Sequence, residues 1–232
     1  MSTRVTKKRK EIDKLFAEGK VYRLEDAIEA IKNAPRAKFD ETVELSINLS
    51  LDPKDPAQAI RGTALLPHGT GRNVRVLVLC RPEDEKKAKE AGADFAGSEE
   101  LIKKISGGWC DFDVAIATSS MMKEIAKLGR VLGPRGLMPN PKTGTVTDDL
   151  PKTIKEVKKG KIEFKMDKQG GIHVGAGKVS FEKEALRDNI MQLIKSIISS
   201  NQNMNKPQSI KSMFLSTTMG AGLRLDISEF KK

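Results

Sequence analysis

The stretch Val43-Glu44-Leu45-Ser46-Ile47-Asn48-Leu49-Ser50-Leu51 decides how the first part of this chain folds. Apolar and polar residues alternate along its whole length, which is the period of a β-strand with one buried and one solvated face. Before it, Leu24, Ala27, Ile28 and Ile31 lie at helical spacing and predict an amphipathic helix. The polar face of the strand is a place where a partner could bind, although most such faces meet only water.

The middle of the chain has a different pattern. Residues 73–80 and 112–117 are mostly apolar and predict strands buried on both faces. Helices are predicted between and after them, at residues 82–91, 98–107, 121–128 and 150–159. Alternating strands and helices predict an α/β domain with a parallel-type sheet.

From Lys161 onward the alternating pattern returns. Residues 161–166, a turn at 167–171 and a return strand from Ile172 predict a β-hairpin with a charged tip. A long amphipathic helix over 181–198 and two strands around Thr217–Gly220 follow. We therefore predict two domains: an α+β domain from residues 1–66 and 160–232, and an inserted, Rossmann-like α/β domain from residues 67–159. A basic N-terminal helix is predicted at 8–18, a turn-rich segment at 52–58 and a polar loop at 201–209.

The composition points to a polyanionic partner. The formal net charge is +11 and the isoelectric point is about 9.6. The chain has no apolar run of the length that spans a membrane, and its start lacks the apolar core of a secretory signal. Its two cysteines do not form a disulfide scaffold. These features predict a reduced, cytoplasmic protein with no membrane contact.

Two segments carry the strongest functional signals. Ser216–Gly220 offers hydroxyls, a thioether and accessible backbone to a polar polymer, or it is an ordinary strand end followed by a turn. The loop Gly129–Gly144 is rich in glycine and proline and carries Arg130, Arg135 and Lys142. Glycine exposes backbone N–H groups and arginine binds phosphate oxygens, so this loop would contact phosphates, or it is structural. It lacks the Gly-Lys-Ser/Thr of a Walker A loop.

The sequence gives no positive case for an enzyme, a metal site or a cofactor. His68 and His173 are the only histidines and lie far apart, and no cysteine or histidine spacing suggests zinc. His68–Gly71 precedes a strand instead of following one, so it fails as a dinucleotide loop and is interpreted as a connector between domains. Aromatic residues are only 4% of the chain, too few for an RRM-type stacking platform. A nucleotide-using enzyme and a general basic coat for nucleic acids remain as alternatives.

Several motifs together resemble one family. They are Phe39–Glu44, Arg61–Thr63, Leu66–Gly69, Ala91–Asp94, Gly129–Pro141, Asp167–His173 and Thr217–Gly220. In this order, from about residue 5 to 228, they resemble the lateral-stalk ribosomal proteins, the family of bacterial large-subunit ribosomal protein one. The runs Leu-Gly-Pro-Arg-Gly-Leu-Met-Pro-Asn-Pro and Thr-Thr-Met-Gly are the most specific.

The resemblance implies a structure and a function. It implies two domains, the first built from both chain ends, and binding to folded large-subunit ribosomal RNA beside the tRNA exit site. It also implies assistance in releasing deacylated tRNA and, in many members, repression of the protein's own operon through its mRNA. We expect a monomer away from the ribosome, without enzymatic activity.

The resemblance also implies particular site residues. The RNA-binding residues would be Phe39, Glu41, Thr42, Lys165, Lys168, His173, Thr217, Thr218, Met219 and Gly220. Threonine hydroxyls suit a ribose 2′-OH, lysines suit phosphates, and a glycine allows close backbone approach. Arg130, Arg135 and Lys142 would be a second-domain contact to RNA or tRNA. Hinges are expected at Pro67, Gly69, Gly71 and Gly160.

Overall fold

The structure is a computed structural model that describes residues 16, 19–34, 37–50, 60–200 and 210–230. The predicted turn-rich segment at 52–58 and loop at 201–209 lie outside the described residues. So does the predicted N-terminal helix at 8–18, apart from Phe16. None of the described helices is both long and apolar enough to span a membrane.

Helices and strands follow one another along the described chain. The strands are β1 Val21–Tyr22, β2 Thr42–Leu49, β3 Arg61–Leu65, β4 Val76–Leu79, β5 Phe95–Gly97, β6 Val114–Ala117, β7 Lys161–Lys165, β8 Gly171–Lys178, β9 Ile210–Thr217 and β10 Leu223–Leu225. The α-helices are α1 Leu24–Asn33, α2 Glu85–Glu90, α3 Glu99–Ser106, α4 Met122–Ile125, α5 Gly129–Leu132, α6 Leu150–Lys158 and α7 Lys183–Ser199. Short 3₁₀ turns lie at Ser119–Met121, Ala126–Leu128, Pro141–Thr143 and Ile227–Phe230.

The chain divides into two compact units. One comprises Met1–Gly71 with Glu163–Lys232, and the other comprises Arg72–Ile162. The predicted boundaries, after residues 66 and 159, lie a few residues before those of the units. The mixed content of sheets and helices is as predicted, and the division into an α+β domain and an inserted α/β domain stays a prediction.

The first unit is built on a five-stranded sheet in the order β1-β10-β9-β2-β8. β2 pairs antiparallel with both β8 and β9, so Leu45 lies between Val174 and Leu215. These apolar residues face α1 and α7, which pack against each other and against the sheet. Only one face of the sheet is covered in this way. An antiparallel sheet tolerates that arrangement because its alternating pattern leaves the other face polar.

The predicted hairpin between residues 161–166 and the strand from Ile172 is wrong. The turn exists, since the Asp167 N–H donates to the Gly171 carbonyl over 2.8 Å, but the strands that it joins belong to different sheets. β7 pairs with β3, where Phe164 is buried against Gly62. β8 pairs with β2 over its whole length instead. Long-range burial of apolar side chains thus outweighs the local pairing that a turn suggests.

The second unit has the predicted parallel sheet, in the order β5-β4-β6. Leu77 and Leu79 of β4 pack on one face with α3 and the helical run from Met121 to Leu132. Val76 and Val78 pack on the other face with α2 and α6. Both faces are covered, as expected of strands that are apolar at every position. The helix predicted at 121–128 is an alternation of short α and 3₁₀ segments that continues to Leu132.

Candidate nucleic-acid interface

The uncovered face of the first unit's sheet carries polar side chains in register. Thr42, Glu44, Ser46 and Asn48 of β2 point to this face, because the residues between them are buried on the other. Across β2, Ser46 lies between His173 of β8 and Phe214 of β9. Glu44 likewise lies between Gly175 and Ser216. We call this surface the open face.

One end of the open face is formed by the Thr-Thr-Met-Gly segment. The Thr218 N–H donates to the Thr42 carbonyl over 3.1 Å, and the Thr42 N–H donates to the Thr218 hydroxyl over 3.1 Å. These two bonds extend the pairing of β9 and β2 by one residue beyond the strand. Met219 then projects outward with 67% of its surface exposed. The local folding therefore presents Thr218 and Met219 at the surface on a fixed backbone.

The buried side chain of Glu41 fixes the Thr-Thr-Met-Gly segment through a hydrogen bond to its backbone. Although charged, it is only 4% exposed. One carboxylate oxygen accepts from the Ala37 N–H over 2.8 Å, and the other accepts from the Met219 N–H over 3.0 Å. Hydrogen bonds to a charged group are the strong ones, so Glu41 holds the backbone of Met219 in position.

Gly220 leaves room for the Thr217 side chain. A Cβ atom built on it would lie 2.3 Å from the Thr217 hydroxyl oxygen, closer than real Cβ contacts. The turn closes with the Gly220 N–H donating to the Thr217 carbonyl over 3.1 Å. A larger residue would displace the Thr217 side chain, so the glycine keeps Thr217 in place beside the open face.

The structure brings His173 onto the open face, Lys168 near one end of it, and Lys165 onto a different sheet. His173 Nδ1 lies 3.0 Å from the Ser46 hydroxyl, and its Nε2 lies 3.7 Å from the Asp167 carboxylate. Backbone N–H groups of Gly171 and Gln169 donate to Asp167 and hold the pKa of that carboxyl below its usual value. Lys168 lies exposed in the same turn, near the His173 end of the face.

Lys165 is exposed on β7, and so belongs to the small β3–β7 sheet and not to the sheet that carries the open face. Arg130, Arg135 and Lys142 lie exposed in the second unit, where the Asn140 side chain accepts from the Lys142 N–H over 2.8 Å. All three are available to a ligand.

The predicted hinge residues differ in how they are held. Gly69, Gly71 and Gly160 have positive φ angles of 70°, 70° and 107°. The buried Asn189 side chain accepts from the His68 N–H over 3.1 Å and donates to the Gly69 carbonyl over 3.0 Å. This part of the connector is therefore fastened to α7.

Sequence reasoning missed several residues of the open face. Phe214, which is 37% exposed, was not assigned to a site; Ser46 and Ser216 were noted only as part of the polar strand face and of the Ser216–Gly220 segment, and Lys178 was not assigned. Lys178 donates to the Thr42 hydroxyl over 2.9 Å and so brings a positive charge to the Thr218 end. The alternation of β2 and β9 was the signal that could have found the first three, because every second residue of both strands had to share one face.

Exposed large apolar side chains collect around this surface. Phe39, 55% exposed, precedes β2. Phe214 lies on β9, and Met219 follows the end of that strand. Such exposure on a polar face is typical of a binding surface. Within the described ranges there is no group of three histidine, cysteine or acidic residues that could hold a metal ion. The fold and the surface together define a binding protein with an exposed polar sheet.

The comparisons with known proteins identify the class more narrowly. The chain belongs to the ribosomal protein L1p/L10e family, whose model matches residues 30–221. Among its relatives, a protein of Protochlamydia amoebophila named "Large ribosomal subunit protein uL1" is 48% identical over 97% of this chain and 96% of its own length. A protein with the same name from Phocaeicola vulgatus is 49% identical over 96% of this chain and 96% of its own length. Another, from Bacteroides fragilis, is 51% identical over 90% of this chain and 90% of its own length.

Family membership confirms several predictions. The chain is a structural ribosomal protein and not an enzyme, so the nucleotide-using enzyme is excluded. The predicted location, cytoplasmic and within the large ribosomal subunit, agrees with the family and with the names of its relatives, and is confirmed.

Proposed function

We propose that this ribosomal protein binds large-subunit ribosomal RNA at the mobile stalk through the open face. The observation that supports this most is the end of that face, where Thr42, Thr218 and Met219 are fixed by backbone bonds yet lie at the surface. A rigid surface loses little conformational freedom on binding, so its contacts are retained as affinity.

The chemistry of the open face suits RNA better than DNA. Hydroxyls of Ser46, Thr42 and Thr218 can exchange hydrogen bonds with ribose 2′-OH groups, which DNA lacks. Lys178 and Lys168 supply charge for phosphates at the two ends of the face, and such contacts weaken with salt. Phe39, Phe214 and Met219 offer apolar surface to ribose and base faces.

A double substitution tests this assignment. Thr218→Ala together with Met219→Ala removes a hydroxyl and an exposed thioether. The Thr42 N–H loses its bond to that hydroxyl, while the Thr218 N–H keeps its bond to the Thr42 carbonyl. We expect affinity for the stalk fragment of large-subunit ribosomal RNA to fall by about 1–3 kcal/mol, the range for lost polar and packing contacts. Leu65→Ala is the matched control, since Leu65 is also apolar and 45% exposed but lies on β3. Equal affinity of the double variant and the control would contradict the assignment.

We further propose that the second unit contacts exit-site tRNA and so assists the release of deacylated tRNA. The exposed guanidinium groups of Arg130 and Arg135 and the ammonium of Lys142 are suited to phosphate oxygens. Replacing all three by glutamine should weaken tRNA binding to ribosomes that carry this protein, while binding of the free protein to the stalk fragment stays unchanged. Loss of both would assign these residues to the ribosomal RNA contact instead.

Repression of the protein's own operon would use the same open face. If its mRNA carries a fold similar to the stalk RNA, the two RNAs compete for one surface, and the Thr218/Met219 double variant should lose affinity for both RNAs.

We also propose that the two compact units are separate domains of a monomer. Limited proteolysis and sedimentation of the free protein would then give stable fragments and a single-chain mass.

A further inference from the structure

A cavity of about 280 Å³ lies beside the start of β2. Phe39, Asp40, Glu41, Val179 and Ser180 line it. Its volume falls just below the range of about 300–1,000 Å³ typical of drug-sized ligands, so it suits one planar ring system. The phenyl ring of Phe39, more than half exposed, stands at the same place.

The Asp40 carboxylate is held in one orientation at this cavity and keeps hydrogen-bond acceptor sites that no bond to Ser180 uses. The Ser180 N–H donates to Asp40 Oδ1 over 3.1 Å, and the Ser180 hydroxyl donates to Oδ2 over 2.7 Å. A carboxylate has about four lone-pair sites, so each oxygen keeps one for a further donor. The two bonds to Ser180 hold the carboxylate in one orientation, which makes it a preorganised pair of acceptors.

The two charged side chains next to the cavity, Glu41 and Lys178, already make hydrogen bonds to other groups of the protein. Glu41 is buried and directs its two oxygens to the Ala37 and Met219 N–H groups. Lys178 donates to the Asp40 carbonyl and the Thr42 hydroxyl, on the side of the open face. A ligand in the cavity would therefore meet an aromatic ring and a pair of acceptor oxygens, with a positive charge nearby for its phosphate.

We propose that this cavity binds a single unpaired guanine of the RNA, with the base stacked on Phe39 and its N1–H and N2–H₂ groups donating to the two oxygens of Asp40. The proposal rests on the proposed function, since the guanine belongs to RNA held on the open face. Guanine alone presents two adjacent donors on its Watson–Crick edge. Adenine and cytosine place an acceptor beside their donor, and uracil flanks its donor with two carbonyls, so each would bring a lone pair against the carboxylate.

Inosine provides the test because it lacks only the N2 amino group of guanine. Each unpaired guanine of the stalk fragment is replaced in turn by inosine, and equilibrium affinity is measured for the full chain and for Asp40→Asn. A bidentate pair contributes about 1–3 kcal/mol of discrimination, so losing half of it should weaken the wild type about tenfold at one position. Because asparagine keeps only one acceptor oxygen, Asp40→Asn should show a smaller loss of affinity on changing guanine to inosine at that position than the wild type does.

The variant is chosen to keep the fold. An asparagine oxygen can still accept from the Ser180 N–H, and its amide can donate to the Ser180 hydroxyl, so circular dichroism should be unchanged. A second variant, Phe39→Leu, should weaken binding whichever base is present, since base–aromatic stacking contributes about 1–3 kcal/mol.

The outcomes separate the cavity from the proposed function. If the wild type binds the fragment but no inosine weakens it, or if inosine weakens wild type and Asp40→Asn alike, the guanine site is overturned and the open face stands. If the wild type does not bind the fragment at all, both proposals fall together.

Discussion

Glu41 offers the sharpest test of how the candidate interface is built. Glu41→Gln keeps the size and shape of the side chain but replaces one carboxylate oxygen by an NH₂ group. In the wild type each carboxylate oxygen of Glu41 accepts from a backbone N–H, one from Ala37 and the other from Met219. With glutamine, one of these N–H groups would face another donor at a site that is only 4% exposed. Water cannot readily take the place of the lost acceptor there.

The expected magnitude follows from this geometry. A hydrogen bond to a charged group contributes about 1.5–3 kcal/mol, and a buried donor left without an acceptor adds to the loss. We expect the free energy of unfolding to fall by about 2–4 kcal/mol. For a chain of this size, each kcal/mol lowers the melting temperature by about 2–4 °C. Met219 would lose its fixed position, so RNA affinity should fall as well.

Urea unfolding and RNA titration of the same preparations measure both effects. Glu44→Gln is the control, because Glu44 lies three residues further along the chain, within β2, and is exposed on the open face. Its stability should stay within about 0.5 kcal/mol of the wild type. Its RNA affinity should rise, since a negative charge leaves the face. If Glu41→Gln were as stable as Glu44→Gln, the buried carboxylate would not hold the segment and the reasoning would be refuted.

Three further predictions concern other groups. Burial raises the pKa of the Cys80 thiol to about 11, so in a Cys110→Ser variant the remaining thiol should react with Ellman's reagent far more slowly in the native state than in urea. Backbone donors lower the pKa of Asp167, so its carboxylate stabilises the fold above the ordinary aspartate pKa of about 3.9 and loses that effect as pH falls through its lower native value. The stability difference between wild type and Asp167→Asn in urea unfolding should therefore shrink between pH 7 and pH 3, and a constant difference would contradict it. Asn189→Ala strands the His68, Gly69 and Ala176 backbone groups that its amide bonds, and should lower the free energy of unfolding by about 2–4 kcal/mol.

The elements with a strong period were predictable from the sequence. The alternation of β2 places its apolar residues on one face, and a one-residue slip in pairing would move all of them to the other face. The strand β4 is apolar at every position and is covered on both sides, as expected for a parallel sheet. In both cases the pattern of apolar residues along the strand predicts which of its faces are buried.

What depends on distant partners was not predictable. β7 and β8 are adjacent in sequence, yet β7 pairs with β3 and β8 with β2, and no local signal distinguishes these partners. β1 has two residues and is defined only by its parallel pairing with β10. Strands this short carry no period of their own.

The candidate site shows the same limit. The Thr-Thr-Met-Gly segment was recognisable by its motif, but the burial of Glu41 was not, because a glutamate before a strand is usually solvated. Phe214 looked like one more apolar residue of a strand, and only the register with Ser46 shows that it lies on the open face. Lys165 was assigned to the same surface as His173 by the family resemblance, on the expected hairpin, but the pairing of β7 with β3 places the two residues in different sheets.

The central claim is that the open face recognises RNA through its hydroxyl groups. The most direct measurement is a titration of the full chain against the stalk fragment of large-subunit ribosomal RNA at moderate salt, with the DNA analogue of the same sequence as competitor. We expect binding that resists the DNA competitor and that weakens when Thr218 and Met219 are both changed to alanine. Equal competition by DNA would show only the attraction of a basic protein for phosphates, and would contradict the claim.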